Sequence, residues 1–300
     1  MNPSDILPSG GFLDLPPEHA DPETAEVVLL SVPFERTSTF GRGSAEGPAA
    51  IIAASHELEL FDAALGIEPW SEAGGIATLP ALTTQEDGAA MAEILQEEVE
   101  SWLARGRFVI TLGGEHTSVV GAIRAHAAVH PDLTVLQLDA HSDLRPSYQD
   151  DPWNHACTMA RVLDVHPRVV QAGIRSQDRS ERTTSRELGL SVFYAHEILA
   201  AEAGGQDWIG SILTACGPDV YVTLDCDVFD PAVLPATGTP EPGGLSWFQM
   251  DSLLARLCQE RYLVGFDVSE LAPLAWLHHP QFTIAKLIYR LIGRRFVASV

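Results

Sequence analysis

The chain has 300 residues, of which 46% are hydrophobic, and a formal net charge of −23 at pH 7. This length allows one large α/β domain or two small ones, with enough apolar residues for a sizeable core. The acidic balance argues against nucleic acid and anionic membranes as partners, and it weakly favours a small cationic substrate.

The N-terminus and the cysteines indicate neither targeting nor cross-linking. Residues 1–8 contain no basic or apolar run and do not resemble a signal peptide. No apolar stretch approaches the roughly 20 residues of a membrane-spanning helix, and we expect a cytoplasmic protein. The 4 cysteines are scattered, which fits neither a zinc knuckle nor a disulfide framework.

Apolar periodicity predicts strands that alternate with helices along the chain. Residues 1–25, rich in proline and acidic residues, are expected to form an arm on the surface. Strands are predicted at 25–32, 108–112, 133–138, 168–172, 190–194, 220–224 and 263–268. Helices are predicted at 49–61, 86–103, 117–128, 155–163, 178–188, 209–216, 282–293 and, with Ser246 as its cap, to about residue 260.

This alternation implies parallel pairing of the strands. We therefore predict one doubly wound α/β domain over residues 1–300, with about seven or eight strands and no linker, repeat or low-complexity break. In open parallel sheets, ligands bind beyond the carboxyl ends of the strands. Polar clusters follow four of the predicted strands, so we expect a functional site at that edge.

Residues 135–143 read VLQLDAHSD, an apolar strand that ends in Asp139, His141 and Asp143. Residues two apart in an extended chain point to the same side, so these three side chains can converge. A second strand ends in the same way, with Asp225 and Asp227. Buried carboxylates are costly without a counter-charge, and the duplication predicts a shared metal centre.

His116 follows a third strand and completes a set of carboxylates with a minority of imidazoles: His116, Asp139, His141, Asp143, Asp225 and Asp227. Such a set favours a hard or borderline divalent ion; Mn²⁺ fits best, and Zn²⁺, Co²⁺, Fe²⁺ and Ni²⁺ stay open. Six ligands are too many for one ion with an open site, and they suit two ions about 3.5–4 Å apart. Two ions lower the pKa of a bridging water, so hydrolysis is the predicted reaction class.

Three stretches resemble the signatures of the ureohydrolases, the family of arginase and agmatinase: 113–116 (GGEH), 139–143 (DAHSD) and 225–231 (DCDVFDP). The resemblance covers nearly the whole chain. It implies a three-layer arginase-like fold with a central, mostly parallel sheet of about eight strands flanked by helices. It also implies a homotrimer or homohexamer that acts on a small cationic guanidino substrate.

The resemblance further implies a role for each site residue. One Mn²⁺ would be bound by His116, Asp139, Asp143 and Asp225, and the other by Asp139, His141, Asp225 and Asp227, with Asp139 and Asp225 bridging. The predicted catalytic residues are His155, Glu270 and Asp143. Glu270 would pair with the guanidinium, His155 would pass protons to the leaving amine, and Thr239 would help line the pocket. A hydroxide bridging the ions would attack the guanidinium carbon and give urea and an amine.

Within the family, the agmatinase branch fits better than arginase, which predicts agmatine as substrate and putrescine and urea as products. Residues 145–155 lack the contacts that arginases use for an α-carboxylate, whereas residues 154–156, 239–242 and 40–48 resemble agmatinases. Glu115 departs from the family, since many members have aspartate there.

Two alternatives stay open. A different guanidino substrate (4-guanidinobutyrate, 3-guanidinopropionate or arginine) would be favoured by a cation near its acidic tail, and the candidates are Arg42, Arg145, Arg175 and Arg179. A non-catalytic member that serves as an assembly partner is the alternative of another class, and the intact ligand set argues against it.

Overall fold

A single eight-stranded sheet runs through the computed structural model, which describes residues 10–165 and 168–297. Its strands are β1 (Val27–Val32), β2 (Ile76–Thr78), β3 (Phe108–Gly113), β4 (Thr134–Leu138), β5 (Val169–Ile174), β6 (Ser191–Tyr194), β7 (Asp219–Asp225) and β8 (Tyr262–Ser269). They pair in parallel in the order β2-β1-β3-β8-β7-β4-β5-β6. The predicted α/β sheet of about eight parallel strands is confirmed.

Helices cover both faces of this sheet. They are α1 (Gly47–Ser55), α2 (Pro69–Glu72), α3 (Gly88–Leu103), α4 (Val120–Val129), α5 (Thr158–Leu163), α6 (Arg179–Glu187), α7 (Ala195–Ala203), α8 (Trp208–Ala215), α9 (Trp247–Glu260) and α10 (His279–Val297). Alternate residues of a strand point to opposite faces. Val27 and Leu29 of β1 join an apolar cluster with α1, α8, α9 and α10, and Val28 and Leu30 join a second cluster with α3, α4 and α5. The predicted three layers are therefore present.

The strand order places the carboxyl ends of β3, β8, β7 and β4 next to one another. Leu138 of β4 is in register with Leu224 of β7, so the residues that follow them emerge side by side. Asp225 is in turn in register with Ser269 of β8. Because neighbouring strands lie about 4.8 Å apart, side chains at these ends are within reach of each other.

Two predictions of secondary structure are wrong in informative ways. The helix predicted at 49–61 ends at Ser55, where the Ser55 hydroxyl donates to the Ile52 carbonyl and accepts from the Leu13 backbone N–H. The N-terminal segment thus crosses the helix end, a long-range contact that periodicity does not encode. Strand β2 and helices α2 and α7 are absent from the prediction; β2 has three residues and α2 four, too few to show a period.

The described part of the predicted N-terminal arm is anchored in the core. Phe12, Leu13 and Leu15 are buried, and the Phe12 backbone N–H donates to the Thr78 hydroxyl at 2.8 Å. Residues 1–9 lie outside the described residues, so a single domain over 1–300 stays a prediction. Among the described helices, none is both long and apolar enough to cross a membrane.

Candidate metal centre

The carboxyl ends of β3, β4 and β7 bring the six predicted ligands to one place. Two groups have ligand atoms that all lie within 4.8 Å of one another: His116, Asp139 and Asp225 form one, and Asp139, His141 and Asp227 form the other. Asp139 belongs to both groups. A shared carboxylate is the arrangement expected where two cations lie side by side.

Three carboxylates surround one ring nitrogen in the first group. The Nδ1 atom of His116 lies 3.2 Å from Oδ2 of Asp139, 3.1 Å from Oδ2 of Asp143 and 3.6 Å from Oδ2 of Asp225. These are the four residues predicted to hold one ion. All four residues are buried.

The second group is built around His141 and Asp227. Nδ1 of His141 lies 2.8 Å from Oδ2 of Asp227 and 3.8 Å from Oδ1 of Asp139. Backbone N–H groups fix the carboxylates, since Ala140 donates to Oδ1 of Asp227 at 3.0 Å and Asp227 donates to Oδ1 of Asp225 at 2.9 Å. Asp225 belongs to the first group alone, so its bridging role stays a prediction.

Two residues of the site have strained backbones. Asp143 has φ 53° and Glu270 has φ 61°, in the left-handed region that non-glycine residues rarely adopt. Backbone hydrogen bonds hold them there: Ala160 donates to the Asp143 carbonyl at 3.0 Å, and Glu270 donates to the Gly114 carbonyl at 2.8 Å. Such strain costs about 1–3 kcal/mol per residue and concentrates at functional sites.

The electrostatics of the cluster indicate a need for positive charge. Burial, reinforced by the negative charge of Asp227, raises the pKa of Asp139 to about 7 and that of Asp225 well above its usual range. Burial alone would also raise the pKa of Asp227, but His141 outweighs it and lowers that pKa to about 2. Carboxylates this close and this buried are ionised together only beside cations, and a buried set of aspartates and histidines fits divalent metal ions.

A second layer of polar residues supports the ligands, and the sequence-based prediction missed it. The Gln137 amide donates to Oδ2 of Asp139 at 2.7 Å, and the Gln171 amide donates both to Oε1 of Gln137 at 2.5 Å and to the Ser142 carbonyl at 2.8 Å. Both glutamines are fully buried in otherwise apolar strands. A glutamine within an apolar strand is the sequence signal that could have indicated each of these two residues.

The predicted substrate-binding residues line a cavity of about 290 Å³ together with five of the six ligands, all but Asp139. Glu270, His155 and Thr239 are all in its wall. Oε1 of Glu270 accepts from the His116 backbone N–H at 2.7 Å, and the Thr239 hydroxyl donates to Oδ2 of Asp227 at 3.4 Å. Burial and the charge of Glu115 raise the pKa of Glu270 well above its ordinary value.

Another part of the cavity wall carries Arg145, Tyr148, Asp178 and Glu181. The Arg145 guanidinium lies 4.8 Å from the centre of the Tyr148 ring, and its Nε lies 3.6 Å from Oε2 of Glu181. Of the four arginines proposed for an acidic tail, Arg145 is the one among the described residues that lines this cavity.

Arg175, another of these four arginines, contacts backbone carbonyls instead of lining this cavity. Its guanidinium donates to the carbonyls of Asp227 at 2.6 Å and Glu241 at 2.8 Å, and so ties two loops of the site together.

Comparison with known proteins gives a consistent result. The model of the arginase family matches residues 25–293. The chain is 35% identical over 275 residues to an N(1)-aminopropylagmatine ureohydrolase of Synechocystis sp., covering 90% of this chain and 89% of that protein. It is 37% identical over 271 residues to the enzyme of the same name from Thermus thermophilus, covering 90% of each. The solved agmatine ureohydrolase of Thermoplasma volcanium superposes with a TM-score of 0.85 at 31% identity, covering 97% of this chain and 96% of that one.

Proposed function

The chain belongs to the arginase family and is a ureohydrolase, an enzyme that hydrolyses guanidino compounds, and we propose that it releases urea from agmatine with the help of two Mn²⁺ ions. The products would be putrescine and urea. The observation that carries this proposal is one cavity whose wall holds five of the six ligand side chains together with Glu270, with the sixth ligand, Asp139, buried against His116 and His141. N(1)-aminopropylagmatine is the second candidate, since four relatives carry its name.

We propose that one Mn²⁺ is held by His116, Asp139, Asp143 and Asp225, and the other by Asp139, His141, Asp225 and Asp227. The shared position of Asp139 and the short distances within each group support this assignment. Carboxylates with a minority of imidazoles are a ligand set that suits Mn²⁺. Two bound divalent ions supply the positive charge that ionises a water molecule near neutral pH.

Glu270 is the proposed partner of the guanidinium group. Its carboxylate is nearly fully buried in the cavity wall, and the His116 backbone N–H fixes one of its oxygens. A guanidinium can pair with a carboxylate through two parallel hydrogen bonds, which sets both the charge and the orientation of the substrate. The pair would place the guanidinium carbon beside the ligand cluster.

His155 is the proposed proton carrier. In the net reaction, the water oxygen bonds to the guanidinium carbon and the carbon–nitrogen bond to the tail breaks. The electron pair of that bond stays on the tail nitrogen, which takes a proton and leaves as an amine. Burial lowers the pKa of His155, so its ring is neutral near pH 7 and can take a proton from water and pass it to the amine.

The charge of the remaining wall favours a tail that ends in an amine. Asp178 and Glu181 carry two negative charges there, against the single positive charge of Arg145. Arg145 is the one observation that favours a guanidino acid, but Glu181 at 3.6 Å already provides its counter-charge. The charges of this wall therefore complement a cationic substrate tail better than an acidic one.

Urea release by the Mn²⁺-loaded protein tests this proposal on agmatine, N(1)-aminopropylagmatine, arginine, 4-guanidinobutyrate and 3-guanidinopropionate. We expect the highest kcat/KM with an amine-tailed compound. Hydrolysis confined to arginine or to a guanidino acid would contradict the substrate, and full metal loading without any hydrolysis would favour a non-catalytic assembly partner.

A cytoplasmic location and a homotrimer or homohexamer belong to the same proposal. Light scattering of the purified protein tests the assembly, and a monomer would contradict it.

A further inference from the structure

A hydrogen-bonded chain from Glu115 through Thr37 to His155 flanks the cavity, and none of the roles described above uses Thr37 or Glu115. We propose that Thr37 is a positioning residue which, held by Glu115, keeps the His155 ring in the tautomer with its proton on Nδ1. The Nε2 lone pair is then free for the cavity. This inference rests on the proposed function, because it explains how His155, the proton carrier proposed for that reaction, is kept in the tautomer that can accept a proton from the cavity.

The Thr37 hydroxyl has three close polar neighbours. Its Oγ1 lies 3.1 Å from Oε1 of Glu115, 3.1 Å from Nδ1 of His155 and 2.9 Å from the backbone N of His155. A hydroxyl has one proton to donate and two lone pairs to accept with. Three neighbours therefore use the full hydrogen-bonding capacity of the Thr37 hydroxyl, and only one of the three can accept its proton.

The backbone N–H of His155 can only donate, so it takes one of the two lone pairs. The hydroxyl proton must then go either to Glu115 or to Nδ1 of His155. Which of the two receives it decides the tautomer of the ring.

Glu115 is the better acceptor. Its side chain is fully buried, and its Oε2 accepts from the backbone N–H groups of Arg36 at 2.8 Å and Thr37 at 2.6 Å. Among the described residues, Oε1 has the Thr37 hydroxyl as its donor. If that hydroxyl turned to His155, a buried carboxylate oxygen would lose its hydrogen bond, which is costly. The hydroxyl proton therefore points at Glu115.

His155 must then donate from Nδ1 to the remaining lone pair of Thr37. With Nδ1 turned to Thr37, the ring nitrogen left for the cavity is Nε2, and His155 is one of the residues in the cavity wall. A neutral imidazole accepts a proton only at its unprotonated nitrogen. The opposite tautomer would present an N–H to the cavity and could not take a proton from water there.

Thr37→Val removes the hydroxyl while keeping the shape of the side chain, and Thr37→Ser restores the hydroxyl. In the Mn²⁺-loaded protein we expect Thr37→Val to lower kcat by about tenfold or more at similar KM, and Thr37→Ser to recover most of the loss. The Mn²⁺ content should be unchanged in both. Thr183→Val on the exposed face of α6 is the matched control and should behave as wild type.

The ring nitrogens of His155 can be observed directly by ¹⁵N NMR of protein loaded with Zn²⁺, which is d¹⁰ and diamagnetic. The His155→Asn variant identifies the signals. We expect Nδ1 to carry the proton in the wild type and the proton to shift towards Nε2 in Thr37→Val. A wild-type ring protonated at Nε2, or wild-type kcat in Thr37→Val, would overturn the inference. If the wild type hydrolysed no guanidino compound, the proposed function would fail, and the NMR result would still decide the tautomer.

Discussion

The Nε2 atom of His116 lies 2.9 Å from the hydroxyl of Thr223, on the opposite side of the ring from the carboxylates that surround Nδ1. The Thr223 hydroxyl donates to Oδ1 of Asp267 at 2.9 Å, so it accepts from His116. Asp267 is fully buried, and burial raises its pKa to about 7. These hydrogen bonds favour a ring proton on Nε2, which would leave the Nδ1 lone pair for the proposed metal ion, as outer hydrogen bonds do for metal-binding histidines.

Thr223→Val should therefore weaken metal binding. Loss of an outer hydrogen bond to a ligand costs about 10–100-fold in metal affinity. Titration of chelator-treated protein with Mn²⁺ in a calorimeter measures the change. Thr223→Ser keeps the hydroxyl and should bind almost as tightly as wild type. Equal affinity in Thr223→Val and wild type would show that the Thr223 contact does not orient His116.

Glu270→Gln should abolish most of the activity while the metal ions stay bound. The variant keeps the shape and the acceptor for the His116 backbone N–H, but it loses the charge proposed to pair with the guanidinium. We expect kcat/KM to fall by about 10²–10³-fold, similar to the loss when one preorganised donor of an oxyanion hole is removed. Glu260→Gln, at an exposed position on α9, is the control. Near-normal activity in Glu270→Gln would mean that another residue binds the guanidinium.

Arg145→Gln distinguishes an amine tail from an acidic tail. Arg145 lines the cavity, and its positive charge opposes a cationic tail and attracts a carboxylate. We expect kcat/KM for agmatine to stay equal or rise, because Glu181 is released from its ion pair. Arg186→Gln, which is exposed on α6, is the matched control. A tenfold or larger fall in kcat/KM, measured with the compound that the wild type hydrolyses best, would instead indicate that this compound is a guanidino acid.

Much of the site could be predicted because its ligands are close in sequence. The alternation of Asp139, His141 and Asp143, repeated by Asp225 and Asp227, fixes which side chains share a face, whatever the sheet order. The supporting residues could not be predicted in this way. Thr223 and Asp267 meet His116 only because β8 lies between β3 and β7.

Strand order is a long-range property that depends on how the helices pack, and no local pattern encodes it. The same holds for the end of α1 at Ser55, which depends on a contact with Leu13 more than forty positions earlier. The tautomer of His155 likewise depends on Thr37, at a separation of 118 residues.

Chelation should remove both activity and part of the stability. If divalent ions are bound as proposed, their removal would leave Asp139 and Asp225 without a counter-charge. The raised pKa values of both carboxyl groups indicate that the fold tolerates them poorly when both are ionised. Free Mn²⁺ at 100 times its Kd would stabilise the folded state by about 2.7 kcal/mol per site. We expect a lower Tm in chelator, with recovery on addition of Mn²⁺, measured by differential scanning fluorimetry. Asp225→Asn should lack this metal-dependent shift, and a Tm that did not respond to Mn²⁺ in the wild type would contradict a metal centre here.

Acid should weaken the fold through Asp62, far in sequence from the ligands. Its Oδ2 lies 2.9 Å from Nζ of Lys286 and 3.0 Å from Nε of Arg290 on α10. Burial alone would raise the pKa of Asp62, but these two cations outweigh it and lower the pKa from its ordinary 3.8 to about 2. The unfolded chain therefore binds the proton first as pH falls. Ionised Asp62 contributes about 2 kcal/mol to the free energy of unfolding. This contribution is complete above about pH 4 and is lost between about pH 4 and pH 2. Asp62→Asn should lower the free energy of unfolding in urea at pH 7 by at least that much, because Lys286 and Arg290 lose the buried carboxylate that they share. The difference from wild type should shrink as the pH approaches 2, whereas Asp132→Asn at an exposed position should match wild type throughout. A difference between Asp62→Asn and wild type that stayed constant with pH would exclude an ionised Asp62 as its source.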